Sequence, residues 1–304
     1  MRLVFPGARG VARLARATVL CAFGLIVLGA IVRSTGSGLA CPDWPLCHGR
    51  LIPPLQTQVL LEWFHRLAAF LVSMLTLVLA VSILARAELR RVLLVRLVLA
   101  LGLLLMQIVL GAMTVWHLLQ FAVVTWHLGN ALLFLAALLA LAEGAQRLDE
   151  GGEPVRREPW GVRVALVSVA AATLLQTLIG GLVSTNHAGL ACPDFPGCRG
   201  EMFPPLEGLV GLQMIHRYGA WLLLAFVVLV AFMTRKVEDP RIRAAAVVAP
   251  ALVVLQVALG VFNVLLAVPV WITAAHLATA TVLFAVLALA ALRAHVRPRT
   301  GSGA

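Results

Sequence analysis

The chain has 304 residues, of which 62% are hydrophobic and 12% are charged, and its mean hydropathy is +0.99. Soluble globular domains carry about 25% charged residues, so the composition excludes a soluble protein and indicates an integral membrane protein. The net charge of +11 raises the question of nucleic-acid binding, but the positions of the basic residues argue against it.

Eight apolar segments follow one another along the chain, and each is long enough to cross a bilayer as a helix. They cover residues 16–33, 58–84, 92–115, 121–143, 161–184, 208–233, 244–266 and 270–292. The sequence therefore predicts an all-α integral membrane protein with eight transmembrane helices.

The basic residues predict the orientation of these helices. Nineteen of the 24 Lys and Arg residues lie at the two ends of the chain and in every second connection. Because an excess of Lys and Arg marks the cytoplasmic side of a membrane, we predict that both termini are cytoplasmic and that the cysteine-containing loops are exoplasmic. The same distribution explains the basic charge without a nucleic-acid partner.

A long internal repeat divides the sequence into two halves. The stretch 41–66 carries two Cys, a Pro-Pro pair, a His and an Arg, and all of them recur 151 residues later in 192–217. At an offset of 149, Gln107, Gly111 and His127 recur as Gln256, Gly260 and His276. Self-similarity over this length indicates a duplicated unit.

A polar segment joins the two copies and sets the predicted domain boundaries. We predict an N-terminal four-helix bundle over 1–145, a cytoplasmic linker over 146–159 and a C-terminal four-helix bundle over 160–304. Because four helices return the chain to its starting side, both bundles enter the membrane in the same direction. We expect them to be related by a pseudo-two-fold axis along the membrane normal.

Each even-numbered helix carries one histidine about two turns, roughly 10 Å, below the exoplasmic surface. These residues are His65, His127, His216 and His276. Ionisable groups at such a depth are functional candidates, and two imidazoles facing each other across a bundle are the axial ligands that a haem iron needs. The alternatives are hydrogen-bonded core histidines, or a zinc site to which Glu62 would add a third ligand in the N-terminal half.

Arg66 and Arg217 directly follow the histidines of helices 2 and 6. A planar guanidinium at this depth suits a haem propionate. The alternative is that both side chains extend to the interface.

The sharpest difference between the halves is Glu62 against Gln213. Glu62 lies three residues before His65, so both share one face of helix 2. A buried carboxylate can transfer protons and a carboxamide cannot. We therefore predict that the N-terminal half holds the reacting species and the C-terminal half a haem that stays as a cofactor. The alternative is that Glu62 only pairs with Arg66.

Two matched cysteine pairs, Cys41–Cys47 and Cys192–Cys198, lie in the predicted exoplasmic loops. Disulfides persist on that oxidising side, and closing so short a loop contributes roughly 2 kcal/mol. The pairs are either structural disulfides or a redox-active route for electrons. Cys21 lies inside helix 1 and is predicted to be an inert core residue.

These motifs resemble haem A synthases, in the bacterial form that carries the loop cysteines. The resemblance covers nearly the whole chain. It rests on the first loop from Arg33 to Trp44, on Glu62-Trp63-Phe64-His65-Arg66, on Trp126-His127, on His216-Arg217 and on His276.

The resemblance implies an enzyme that oxidises the C8 methyl group of haem O to a formyl group through successive hydroxylations. It implies a haem b held by His216 and His276, with the substrate haem O placed at His65 and His127. It also implies that Glu62 is catalytic and that the first cysteine pair is functionally important.

The resemblance further implies a bacterial inner membrane location, a haem O synthase upstream and a terminal oxidase that receives the product. Two rivals stay open at this point: a two-haem electron-transfer cytochrome b, and a membrane thiol oxidase that uses the cysteine pairs. Membrane lipid is an expected partner, and a homo-oligomer is an open alternative to a monomer.

Overall fold

The computed structural model describes residues 6–151 and 158–295, and within them the regular structure is helical. The eight long helices are α1 (Ala8–Ser34), α2 (Thr57–Leu84), α3 (Ala87–Trp116), α4 (Phe121–Asp149), α5 (Trp160–Thr185), α6 (Gly208–Thr234), α7 (Pro240–Leu265) and α8 (Val270–Ala294). All eight are long and apolar enough to span a membrane, which confirms the predicted fold class.

Several helices extend beyond the predicted apolar spans. Helix α1 begins at Ala8 and α3 at Ala87, each more than a turn earlier than expected. Helix α4 continues to Asp149, so the first residues of the predicted 146–159 linker are helical, while 152–157 lie outside the described residues. The extra turns contain Arg, Gln and Glu, which are good helix formers. Hydropathy therefore locates the apolar part of each helix and not its ends.

Each half is a ring of four helices. Helices α1 and α3 each pack against both α2 and α4, and α5 and α7 each pack against both α6 and α8. Helices α2 and α4, which carry His65 and His127, therefore stand diagonally opposite each other, as do α6 and α8. This repeated arrangement places one histidine on each side of the centre of each ring.

The two rings meet through α1, α4, α5 and α8. Phe284 and Ala288 of α8 belong to the same buried cluster as the leucines of the N-terminal half, so the apolar core continues across the interface. At the end away from the cysteine loops, buried Glu143 of α4 accepts hydrogen bonds from Arg147 at 2.7 Å and from Arg293 of α8. Removing one partner of a buried ion pair is costly, so this contact fixes the halves relative to each other.

Candidate functional site

Each of the four histidine rings packs against a glycine on the preceding helix. A Cβ atom added at any of these glycines would come close to Cε1 of the neighbouring histidine ring. The pairs and distances are Gly29 and His65 at 3.2 Å, Gly111 and His127 at 3.3 Å, Gly180 and His216 at 2.8 Å, and Gly260 and His276 at 3.2 Å. These separations are tighter than ordinary van der Waals contact. The glycines therefore leave room for the imidazoles themselves, and the same arrangement occurs four times.

In the C-terminal half the rings of His216 and His276 lie edge to face, with centroids 6.4 Å apart and planes at 78°. When one metal ion binds two imidazoles, each metal–nitrogen bond is about 2 Å long. Adding the distance from the nitrogen to the ring centre on both sides gives a centroid separation of about 6 Å. The pair is therefore spaced to hold one iron between two imidazoles.

Two of the ring nitrogens have no hydrogen-bond partner. Within the described part of the chain, Nδ1 of His65 and Nδ1 of His276 are buried and unpaired. Buried polar atoms are normally hydrogen-bonded, so such exceptions need an explanation. The described residues therefore leave the Nδ1 side of one histidine ring in each half without a hydrogen-bond acceptor.

A zinc site in the N-terminal half is not supported. Among the described residues, no group of three or more His, Cys, Asp and Glu side chains is placed to hold a metal ion. Glu62 therefore does not join His65 and His127 as a third ligand.

Adding a methyl group at Gly180 should displace the ring of His216. We expect Gly180→Ala to weaken cofactor binding by His216 and His276 roughly 5- to 150-fold, since overpacking costs about 1–3 kcal/mol. The measurement is the amount of haem, the cofactor predicted from the sequence, per protein after purification. Gly161→Ala is the control on the same helix, because a Cβ there meets nothing within 4 Å. Equal haem content in both variants would contradict the role given to Gly180.

Glu62 is buried, with 6% of its surface exposed, and its carboxylate accepts a hydrogen bond from Nε of Arg66 at 3.0 Å. The remaining guanidinium nitrogens of Arg66 donate to the backbone of the first cysteine loop. They reach the carbonyl oxygens of Cys41 at 2.9 Å, Asp43 at 2.6 Å and Leu46 at 2.5 Å. The ion pair weighed as an alternative role for Glu62 is thus present, and it is part of a longer connection to the loop.

The C-terminal half keeps the arginine–loop contact and loses the ion pair. Arg217 donates to the carbonyl oxygens of Cys192 at 2.7 Å and Asp194 at 2.8 Å. In the described structure, Nε of Arg217 and Oε1 of Gln213 are buried without a partner. Both arginines therefore anchor a loop, which the sequence did not predict, and their binding of propionates stays a prediction.

The cysteines of each loop are buried, and each pair lies at bonding distance. The sulfur atoms are 1.95 Å apart in Cys41–Cys47 and 2.03 Å apart in Cys192–Cys198. Each disulfide packs against the first turns of the helix that carries the histidine, through Val59 on α2 and Met214 on α6. The disulfides thus connect loop and helix at the end of the bundle that carries the histidines.

Asp43 stabilises the first loop from the inside. Its carboxylate accepts hydrogen bonds from the backbone N–H groups of His48 at 2.6 Å and Gly49 at 2.7 Å, and both of these residues have positive φ. The N–H of Gly49 contributes most to lowering the pKa of Asp43, and that of His48 adds to it. Asp194 makes the equivalent contacts in the second loop.

The lowered pKa gives the loop a pH dependence. The ionised form of Asp43 stabilises the loop above the pKa of the unfolded chain, near 3.9, and this contribution is lost as the pH falls through the lower folded-state pKa. We expect a lower protection factor for the Gly49 amide, relative to its intrinsic exchange rate at the same pH, below that pH, and in Asp43→Ala above it. The control is the protection of the Gly49 amide in Asp194→Ala, which changes only the second loop. Equal protection of Gly49 in the two variants would contradict the prediction.

A glutamine contacts His127, and sequence reasoning did not assign it a role. The carboxamide nitrogen of Gln107 lies 3.3 Å from Nδ1 and 3.2 Å from Nε2 of the ring, and its oxygen accepts a hydrogen bond from Asn130 at 2.7 Å. The recurrence of Gln107 as Gln256 was the available signal, because both lie one turn before the glycine that contacts the histidine.

The chain is similar to known proteins over most of its length. The sequence model of the COX15-CtaA family, described as a cytochrome oxidase assembly protein, matches residues 12–288. The chain is 28% identical over 298 residues to the heme A synthase of Geobacillus thermodenitrificans, covering 95% of this chain and 94% of the relative. It is 34% identical over 248 residues to that of Symbiobacterium thermophilum, covering 77% and 79%. For that of Shewanella oneidensis the identity is 29% over 306 residues, covering 86% and 90%.

Proposed function

The chain belongs to the COX15-CtaA family of cytochrome oxidase assembly proteins, and from this premise we propose that it is a haem A synthase. The proposed reaction oxidises the C8 methyl group of haem O to a formyl group through successive hydroxylations. The substrate comes from a haem O synthase, and the product serves a terminal oxidase. The proposed location is the bacterial inner membrane, with the termini cytoplasmic and the cysteine loops exoplasmic.

One observation carries the proposal: two equivalent histidine pairs differ by a carboxylate. Both halves place a histidine on each of two diagonal helices, against a glycine in every case. Only the N-terminal half adds a buried carboxylate, Glu62, three residues from its histidine, where the C-terminal half has Gln213. Because the two histidine pairs are equivalent and only one has an acid–base group beside it, this arrangement supports a reacting site in the N-terminal half and a cofactor site in the C-terminal half.

In the C-terminal half, His216 and His276 would hold haem b. Their ring centroids lie 6.4 Å apart, a separation that would accommodate one iron between the two imidazoles. When bound, haem b supplies one-electron redox chemistry, and the protein contributes the ligands and the surrounding apolar helices. Gln213 adds no proton-transfer group to this site.

In the N-terminal half, His65 and His127 would hold the substrate haem O. Glu62 lies one turn nearer the cysteine loop on the same face of α2 as His65. Arg66 fixes the carboxylate through Nε, so it is held in one orientation. We assign Glu62 to accept a proton from the oxidised methyl group, or to stabilise positive charge that develops at that carbon.

Haem analysis tests the proposal. The protein would be purified from cells that also make haem O, and its pigments separated and identified by mass. We expect haem b together with haem O or haem A. Haem b alone, at two per chain, would favour the electron-transfer cytochrome, whose support is the near-equivalence of the two histidine pairs. Protein without haem would contradict both.

A further inference from the structure

His216 is held by a glutamine on the neighbouring helix. Gln176 of α5 places its carboxamide nitrogen 3.0 Å from Nδ1 of His216 and donates to the backbone carbonyl of the same residue at 2.7 Å. The side chain occupies the space beside Gly219, where any Cβ would collide with the carboxamide oxygen. Gln176 and Gly219 thus form a matched pair around the ring.

The N-terminal half lacks both members of this pair. At the offset of 151 that relates His65 to His216 and Gly29 to Gly180, the counterpart of Gln176 is Leu25 and that of Gly219 is Ala68. Leucine has no hydrogen-bonding group, and Nδ1 of His65 is buried without a partner in the described structure. The two substitutions are complementary, because the methyl group of Ala68 stands where the C-terminal half leaves room for a carboxamide.

For the other two histidines, His127 and His276, the hydrogen-bonded ring is the one in the N-terminal half. In the N-terminal half, His127 is contacted by Gln107, which is itself fixed by Asn130. In the C-terminal half, Nδ1 of His276 has no partner among the described residues. Each half therefore fixes one ring, and in the N-terminal half the free ring is His65, which shares its helix with Glu62.

We propose that Gln176 and Gly219 make His216 a permanent ligand of the resident haem, and that Leu25 and Ala68 leave His65 an exchangeable ligand of the substrate haem. The inference rests on the proposed function. A cofactor must stay through many turnovers, whereas a substrate must enter and its product must leave. Hydrogen bonds to the second nitrogen of a ligating histidine fix the ring and strengthen its binding, typically 10- to 100-fold in metal affinity.

The tautomer sets the direction of the hydrogen bond. A histidine that ligates iron through Nε2 carries its proton on Nδ1 and donates it. The carboxamide of Gln176 then presents its oxygen, which requires a half-turn about its last side-chain torsion and replaces the hydrogen bond to the backbone carbonyl of His216 by the one from Nδ1. Gln176 is thus a positioning residue that acts through His216.

The test exchanges the two pairs. Gln176→Leu combined with Gly219→Ala gives the C-terminal half the N-terminal arrangement, and transfer of haem b from the purified protein to apomyoglobin measures the release rate. We expect release about 10- to 100-fold faster than in wild type, and a raised midpoint potential because the imidazole is a weaker donor. Gln176→Glu keeps an acceptor oxygen and should restore slow release.

The reciprocal variant tests the N-terminal half and does not depend on the first variant folding. Leu25→Gln with Ala68→Gly should raise the amount of haem O or haem A that stays bound through purification. Unchanged release rate and potential in the first variant, or unchanged retention in the second, would overturn the inference alone. A wild-type protein without haem b would instead overturn the proposed function, and the inference with it.

Discussion

Glu62→Gln is expected to lower the formation of haem A about 10²- to 10⁴-fold, the usual contribution of a group that transfers a proton in the transition state. The carboxamide keeps the shape of the side chain, so His65 and α2 should stay in place. Haem b should remain at wild-type content, since Glu62 lies in the other half of the molecule. The measurement is the ratio of haem A to haem O in extracts, beside haem b per protein.

The chain offers a matched control for this substitution. Gln213 occupies the equivalent position in the C-terminal half, beside Arg217, whose Nε is buried without a partner in the described structure. Gln213→Glu should rebuild the ion pair seen between Glu62 and Arg66, and the protein should still form haem A. Normal haem A formation by Glu62→Gln would exclude Glu62 as the catalytic group. Loss of haem b in that variant would show that the substitution acts on the whole fold.

The architecture was predictable because its signals are long and repeated. Eight apolar segments and a repeat at a constant offset specify eight helices in two groups, and the described residues confirm the eight-helix fold. The ends of the helices were not predictable from hydropathy. The polar turns at the start of α1 and the end of α4 remain helical because backbone hydrogen bonding does not depend on whether a side chain is apolar.

The histidines could be found from the sequence, but the groups that position them could not. Helical periodicity places His65 and Glu62 on one face, because they lie three residues apart on the same helix. It gives no distance between α5 and α6, so the contact from Gln176 to His216 follows only from packing. The same limit explains Arg66 and Arg217, whose partners are carbonyl oxygens 20 to 25 residues away and carry no side-chain signature.

Arg66→Lys is expected to disconnect the first cysteine loop from Glu62 while keeping the positive charge. The guanidinium uses three nitrogens in three directions, toward the carboxylate and toward the carbonyl oxygens of Cys41 and Asp43. A single ammonium group cannot reproduce that fork. Arg66→Met goes further, because it leaves the buried carboxylate uncompensated at a cost of about 3–5 kcal/mol. We expect Arg66→Lys to lower haem A formation at least about tenfold, and Arg66→Met to lower it further.

The C-terminal half separates anchoring of the loop from positioning of the carboxylate. Arg217→Lys removes the same contacts to a cysteine loop but no ion pair, because residue 213 is a glutamine. Both lysine variants should therefore speed reduction of their own disulfide by a phosphine, whereas Arg66→Lys should lower haem A formation more than Arg217→Lys does.

Combining Arg66→Lys with Glu62→Gln completes the test. If the arginine acts on the reaction through the carboxylate, the double variant should be little worse than Glu62→Gln alone, because the two residues form one unit. Fully additive losses would mean that Arg66 supports the reaction by a separate route. In that case the contacts of Arg66 with the first cysteine loop would account for its effect on haem A formation. The connection from the Cys41–Cys47 disulfide to Glu62 would then have no chemical role.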